Sequence, residues 1–123
     1  MITAAVTVDK EALLYLRFIG TNGIEADIAC IIDTGFSEYL TLPQDWIDAL
    51  EFVYEGLDAI WLADGTQVQA NLFKGKVVWD GQERAVVIHC LEGDALVGMS
   101  MMYDYLLHLP VRVNDVATLT PLS

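Results

Sequence analysis

Three dipeptides, Asn22-Gly23, Asp64-Gly65 and Asp80-Gly81, constrain this chain more than any other feature, because each interrupts runs rich in β-branched and aromatic residues. Such pairs fill the two central positions of tight hairpin turns, where a positive φ is needed and only Gly, Asn or Asp tolerates it cheaply. Around them the sequence predicts strands at Val6–Val8, Leu13–Ile19, Ile60–Ala63, Thr66–Val68, Lys76–Trp79 and Arg84–His89. The run Ile24–Ile32 (IEADIACII) is mixed at its start and wholly apolar at its end, as expected of a strand entering the centre of a sheet.

Helical signals are short. Pro43 can open a helix at its first position, with Trp46, Ile47 and Leu50 on one face, and a second short helix is expected over Met99–Tyr105. Leu107–Val113 reads as a closing strand interrupted by Pro110. The expected architecture is mostly β, a closed or sandwich-like barrel with two short helices, in one domain spanning residues 1–123.

Composition narrows the function classes. With 6 Lys and Arg against 18 Asp and Glu, the formal charge of -12 repels phosphate backbones, so nucleic acid is not an expected partner. The apolar stretches are broken by Arg17, Asp27, Asp33, Asp94 and Asp104, and none reaches the roughly 18 to 20 uncharged residues of a membrane span. Met1–Val8 lacks a basic leader and is followed by Asp9, Lys10 and Glu11, from which a cytoplasmic protein is expected. Cys30 and Cys90 lie in β-like apolar runs where a thiol acts as a small hydrophobe, and no metal or other cofactor is expected. His89 and His108 have no accompanying nucleophile motif and read as structural. Trp46 and Trp79 read as core, Trp61 as a groove aromatic, and Met99, Met101 and Met102 as core or interface filler.

The segment that carries chemistry is Ile31-Ile32-Asp33-Thr34-Gly35-Phe36-Ser37. A carboxylate at the end of a buried strand is costly unless hydrogen-bonded, and the next two residues offer a hydroxyl and an unobstructed N–H. Asp-Thr-Gly alone is as compatible with a turn as with a site. The wider pattern resembles the retropepsin-like aspartic proteases, in particular small single-domain bacterial members. The matching residues are Ile31 to Phe36, then Leu40-Thr41-Leu42-Pro43, Leu62-Ala63-Asp64-Gly65, Val78-Trp79-Asp80-Gly81 with Glu83-Arg84, and Leu96-Val97-Gly98-Met99-Ser100. The resemblance runs from about the Ile24 strand to Val113.

The resemblance implies peptide hydrolysis by Asp33, with Thr34 bonding across a dimer axis and Gly35 lending its N–H to the carboxylate. It implies a flap with its tip near Asp64, Gly65 and Thr66, and substrate contacts from Ser37, Trp61 and that tip. Such hydrolysis needs one carboxylate to take a proton from water and a protonated one to give a proton to the carbonyl oxygen, and two carboxyls about 3 Å apart share a proton to do so. Asp64-Gly65-Thr66 and Asp80-Gly81-Gln82 are turn signals, so the second acid is expected from a second copy, Asp33 facing Asp33 in a homodimer. Phe36 stands where pepsin-type enzymes carry a hydroxyl, which places the expected acidic limb of activity above theirs. The alternative expectation is a non-catalytic domain of the same fold that binds peptides or dimerises.

Overall fold

The structure, a computed structural model, describes residues 1–62 and 64–123. In chain order the elements are β1 (Ile2–Val6), β2 (Ala12–Ile19), β3 (Glu25–Ile32), β4 (Leu40–Leu42), α1 (Gln44–Leu50), β5 (Val53–Trp61), β6 (Gln67–Trp79), β7 (Gln82–Cys90), β8 (Ala95–Val97), β9 (Tyr105–His108) and β10 (Val116–Pro121). Six of them form a ring in the order β2-β3-β8-β4-β7-β6, closed where Arg17, Phe18 and Ile19 of β2 pair with Val78, Val77 and Lys76 of β6. The result is a closed six-stranded barrel. Strands β1, β10 and β9 continue outward from β2, and β5 continues outward from β6.

Alternation explains the closure. In β2 the side chains of Ala12, Leu14, Leu16 and Phe18 are buried while Tyr15 and Arg17 point out, the period of two that turns one face of a strand to a core. Phe18, Leu14, Leu40, Leu42, Val77, Ile88, Val97 and Met101 fill the interior. Burying side chains of this size stabilises by about 1.5–3 kcal/mol each. The barrel therefore makes a rigid frame from which the site loops project.

The same dipeptide makes two different turns. Asp80-Gly81 has φ of 51° and 81° between paired Trp79 and Gln82, the two-residue hairpin expected of it. At Asp64-Gly65, however, the Gly65 N–H donates to Leu62 O at 3.0 Å and the Leu62 N–H to Thr66 O at 2.8 Å. Gly65 is thus the fourth residue of its turn, not a central one, with φ 86°. Ala63, part of the expected strand Ile60–Ala63, lies outside the described residues.

Other expectations are corrected. The first strand runs Ile2–Val6, held between β10 and β2, in place of Val6–Val8. The strands expected at Ile60–Ala63 and Thr66–Val68 belong to a far longer hairpin, since β5 and β6 pair from Val53↔Lys74 to Trp61↔Gln67. In place of the helix expected over Met99–Tyr105, residues 99–104 form successive turns, leaving α1 as the one helix among the described residues. Met102 N–H reaches back to Gly98 O at 3.3 Å, but Asp104 takes φ 66° and Tyr105 enters β9, so the helical turn cannot propagate. Pro43 caps α1 from outside with ψ 160°, as its extended backbone requires. The expected strand Leu107–Val113 is β9, which stops at His108, while β10 supplies the pairing for both β1 and β9. No helix of the described residues is long and apolar enough to cross a membrane.

Candidate functional site

Asp33 sits where β3 ends, and three interactions fix that end. Leu13 of β2 pairs with Ile31 on one side, while on the other Cys30, Ile31 and Ile32 run parallel to Ala95, Leu96 and Val97 of β8. The Asp33 N–H donates to Val97 O at 2.9 Å. Aliphatic β-branched residues at the strand end supply the apolar surface that holds it between two neighbours. The carboxylate then turns back on its own loop: the Gly35 N–H donates to Asp33 Oδ1 at 2.9 Å, and the Phe36 N–H to Asp33 O at 3.1 Å.

The loop continues under a second strap of backbone. Gly98 N–H donates to Tyr39 O at 2.8 Å, Met99 N–H to Phe36 O at 2.8 Å, and Ser100 Oγ–H to Ser37 O at 2.6 Å. Gly98 makes this approach possible, for a Cβ there would overlap the Glu38 carbonyl oxygen and lie 2.6 Å from Phe36 Cδ2. Behind it, Thr41 is 1% exposed and its Oγ1 accepts the Leu96 N–H at 2.9 Å, anchoring β8 to β4. The Asp33 loop is thus held mostly by backbone hydrogen bonds, and a small residue is needed where its segments cross.

Above Asp33 lies the hairpin of β5 and β6. Two hollows meet beneath it over Gly35 and Phe36 and under Ile60, Trp61 and Leu62. One, about 120 Å³, adds Asp33, Leu91 and Leu96; the other, about 240 Å³, adds Ser37, Glu38 and Ala59. Together they form a groove open to solvent, with Trp61 69% exposed along its wall. Asp33, Gly35, Ser37 and Trp61 are therefore brought together. Thr34 is exposed and outside the lining, and Asp64, Gly65 and Thr66 form the hairpin tip beyond it. Asp64 is tied within the tip, its Oδ1 accepting the Thr66 Oγ1–H at 2.6 Å and the Thr66 N–H at 2.9 Å, and these bonds hold its carboxyl below the usual range.

Sequence reasoning passed over Ile60, Leu62, Glu38, Leu91 and Leu96 as groove residues. The signal for Ile60 and Leu62 was their place in an apolar run beside Trp61. Phe36 is buried and packs edge-on against His89, with ring centroids 5.9 Å apart at 88°. His89 is itself 2% exposed, and its Nε2–H donates to Asp58 Oδ2 at 3.0 Å, which holds the Asp58 carboxyl below its ordinary value. That bond reaches from β7 to β5 across the intervening β6. Among the described residues His89 Nδ1 makes no hydrogen bond. Among the described residues no three His, Cys, Asp or Glu side chains gather to hold a metal ion.

The chain is similar in structure to a crystallised retropepsin-like aspartic protease from Rickettsia conorii, with a TM-score of 0.63, 21% identity, and coverage of 96% of this chain and 87% of that one. No family model and no curated protein matches it. The retropepsin-like fold that the resemblance implies is the fold of the chain.

Proposed function

We propose that residues 1–123 act as one domain of a homodimeric aspartic endopeptidase, in which Asp33 of each of two copies forms the catalytic pair. The observation that carries this reading is the Asp33 carboxylate, half-buried at the end of β3, bonded to the Gly35 N–H and lining a groove roofed by the β5–β6 hairpin. A lone carboxylate offers one proton-transfer group, whereas peptide hydrolysis uses two. A second copy supplies the other.

In the dimer the two carboxyls share one proton. The ionised one takes a proton from water as it attacks the scissile carbonyl, and the protonated one gives its proton to the carbonyl oxygen. Thr34 bonds across the axis beneath the pair. Ser37 and Trp61 contact the peptide, and the tip at Asp64, Gly65 and Thr66 closes over it, a movement that excludes water during the reaction. Support for a second copy comes from the outer sheet. β9 is an edge strand, and Tyr103, Leu106, Val111, Val116 and Leu122 near it are exposed. Apolar surface beside an unpaired strand edge marks an interface.

The test is digestion of a mixed peptide library beside sedimentation of the same sample at micromolar concentration. Wild-type protein should sediment as a dimer and cleave, with a bell-shaped pH profile in kcat/KM. Asp33→Asn should remain a dimer and not cleave. A strict monomer, or an Asp33→Asn variant with wild-type cleavage, removes the reading and leaves a non-catalytic domain that binds peptides.

A further inference from the structure

The two halves of the groove differ in charge as well as size. The smaller holds Asp33 with Ile60, Leu62, Leu91 and Leu96 and has no other charged residue. The larger lacks Asp33 and is lined by Ser37 and Glu38. Glu38 is half-buried and makes no ion pair among the described residues. None of the six Lys and Arg side chains of the chain lines either half.

Glu38 is the one charged residue lining this half, and no Lys or Arg lines it, so a ligand that brings a positive charge finds a carboxylate to pair with. We propose that Glu38 is a specificity-determining residue that selects peptides carrying Lys or Arg in the larger half of the groove, beside an aliphatic residue seated in the smaller half over Asp33. Glu38 lines only the larger half and Asp33 only the smaller, which pairs the incoming cation with Glu38. The chain's overall charge of -12 acts in the same direction, drawing basic peptides toward the groove. This inference rests on the groove being a peptide site, as proposed above.

The experiment uses peptide pools with a central Leu-Leu and either Lys, norleucine or Glu fixed at each flanking position in turn. Cleavage by wild type and Glu38→Gln is read by mass spectrometry. Binding of the same pools to Asp33→Asn protein is read by fluorescence anisotropy. At one flanking position Lys should outperform norleucine by roughly two- to fivefold, the range of a partly exposed ion pair, and Glu should be the poorest. Glu38→Gln should erase the difference between Lys and norleucine, Glu38→Lys should favour Glu, and added salt should weaken the wild-type preference. A Lys preference that survives in Glu38→Gln, or no Lys preference in either cleavage or binding, overturns the assignment. Lys-selective binding without cleavage by wild type would uphold Glu38 while removing the peptidase reading. Neither binding nor cleavage of any pool would remove both.

Discussion

Gly98→Ala tests how the site is built, since it adds one methyl group where two backbone segments cross. The new Cβ would overlap the Glu38 carbonyl oxygen and lie 2.6 Å from Phe36 Cδ2 and 2.8 Å from Phe36 O, whereas ordinary contact begins at 3.4 Å. Two of these three obstacles are backbone atoms, and the same segment is already bonded to Met99 and Ser100. The strain therefore cannot be released by rotating a side chain. Gly75→Ala is the matched control, because its Cβ meets Ile88 Cδ1 at 2.5 Å and Phe52 Cε1 at 3.1 Å, both at the far ends of side chains. Overpacking a core costs about 1–3 kcal/mol, and a backbone clash belongs at or above the upper end. The expected losses are about 3 kcal/mol for Gly98→Ala and about 1 kcal/mol for Gly75→Ala, the first equivalent to roughly 10 °C in Tm for a chain of this length. Urea unfolding at one protein concentration measures both, a fixed concentration being required if the chain dimerises. Below the transition, Gly98→Ala should also lose peptide cleavage more than Gly75→Ala, since the displaced segment carries Phe36, Ser37 and Glu38. A Gly98→Ala loss within about 0.5 kcal/mol of wild type, or no larger than that of Gly75→Ala, would refute the close crossing.

Three further outcomes follow from single contacts. Thr41→Val keeps the shape but strands the Leu96 N–H that Thr41 Oγ1 accepts, so urea unfolding should show a loss of about 1–3 kcal/mol that Thr41→Ser largely restores. Asp58 has a folded-state carboxyl pKa depressed chiefly by the His89 hydrogen bond, so its stabilising contribution is present above its unfolded value near pH 3.9 and is lost as pH falls through the folded value; Asp58→Asn should flatten the acid limb of stability in melts between about pH 2 and 6. Burial pushes the Cys30 thiol up to about 12, so iodoacetamide at about pH 8 should leave Cys30 untouched until unfolding and reach half-buried Cys90 first, and equal labelling rates by mass spectrometry would contradict the closed barrel around β3.

What the sequence shows and what it hides divide along the range of the interactions. Asp80-Gly81 was readable because both residues of a two-residue turn carry the positive φ that selects them. Asp64-Gly65 has the same letters, yet its turn begins at Leu62, and only the cross-strand pair Trp61↔Gln67 fixes that offset. The strand ending at Asp33 was visible as an apolar run, but β8 was not, since the three residues of Ala95–Val97 are too short for any periodicity and gain their identity from pairing with Cys30–Ile32. Met99–Tyr105 misled for the opposite reason, offering a helix-like cluster of Met and Tyr whose backbone is committed to Gly98, Phe36 and Glu38 instead. In β10, Ala117 and Leu119 alternate with more exposed neighbours, a usable strand signal that the longer apolar stretch before Pro110 outweighed.

Phe36 shows why a motif alone could not complete the site. From the sequence it is the residue that replaces a hydroxyl after Asp-Thr-Gly, and its consequence is a missing hydrogen bond. In the fold it is a wall common to both halves of the groove, its ring set edge-on against His89. His89 in turn bonds Asp58 on β5, three residues before Trp61. The bulky side chain thus supplies a packed connection from the Asp33 loop through His89 of β7 to Asp58 of β5. Phe36→Ser would change both at once: it would introduce a hydroxyl and open a space against the His89 ring. A shift in the acidic limb alone would isolate the first effect, whereas a rise in KM with loss of stability would isolate the second.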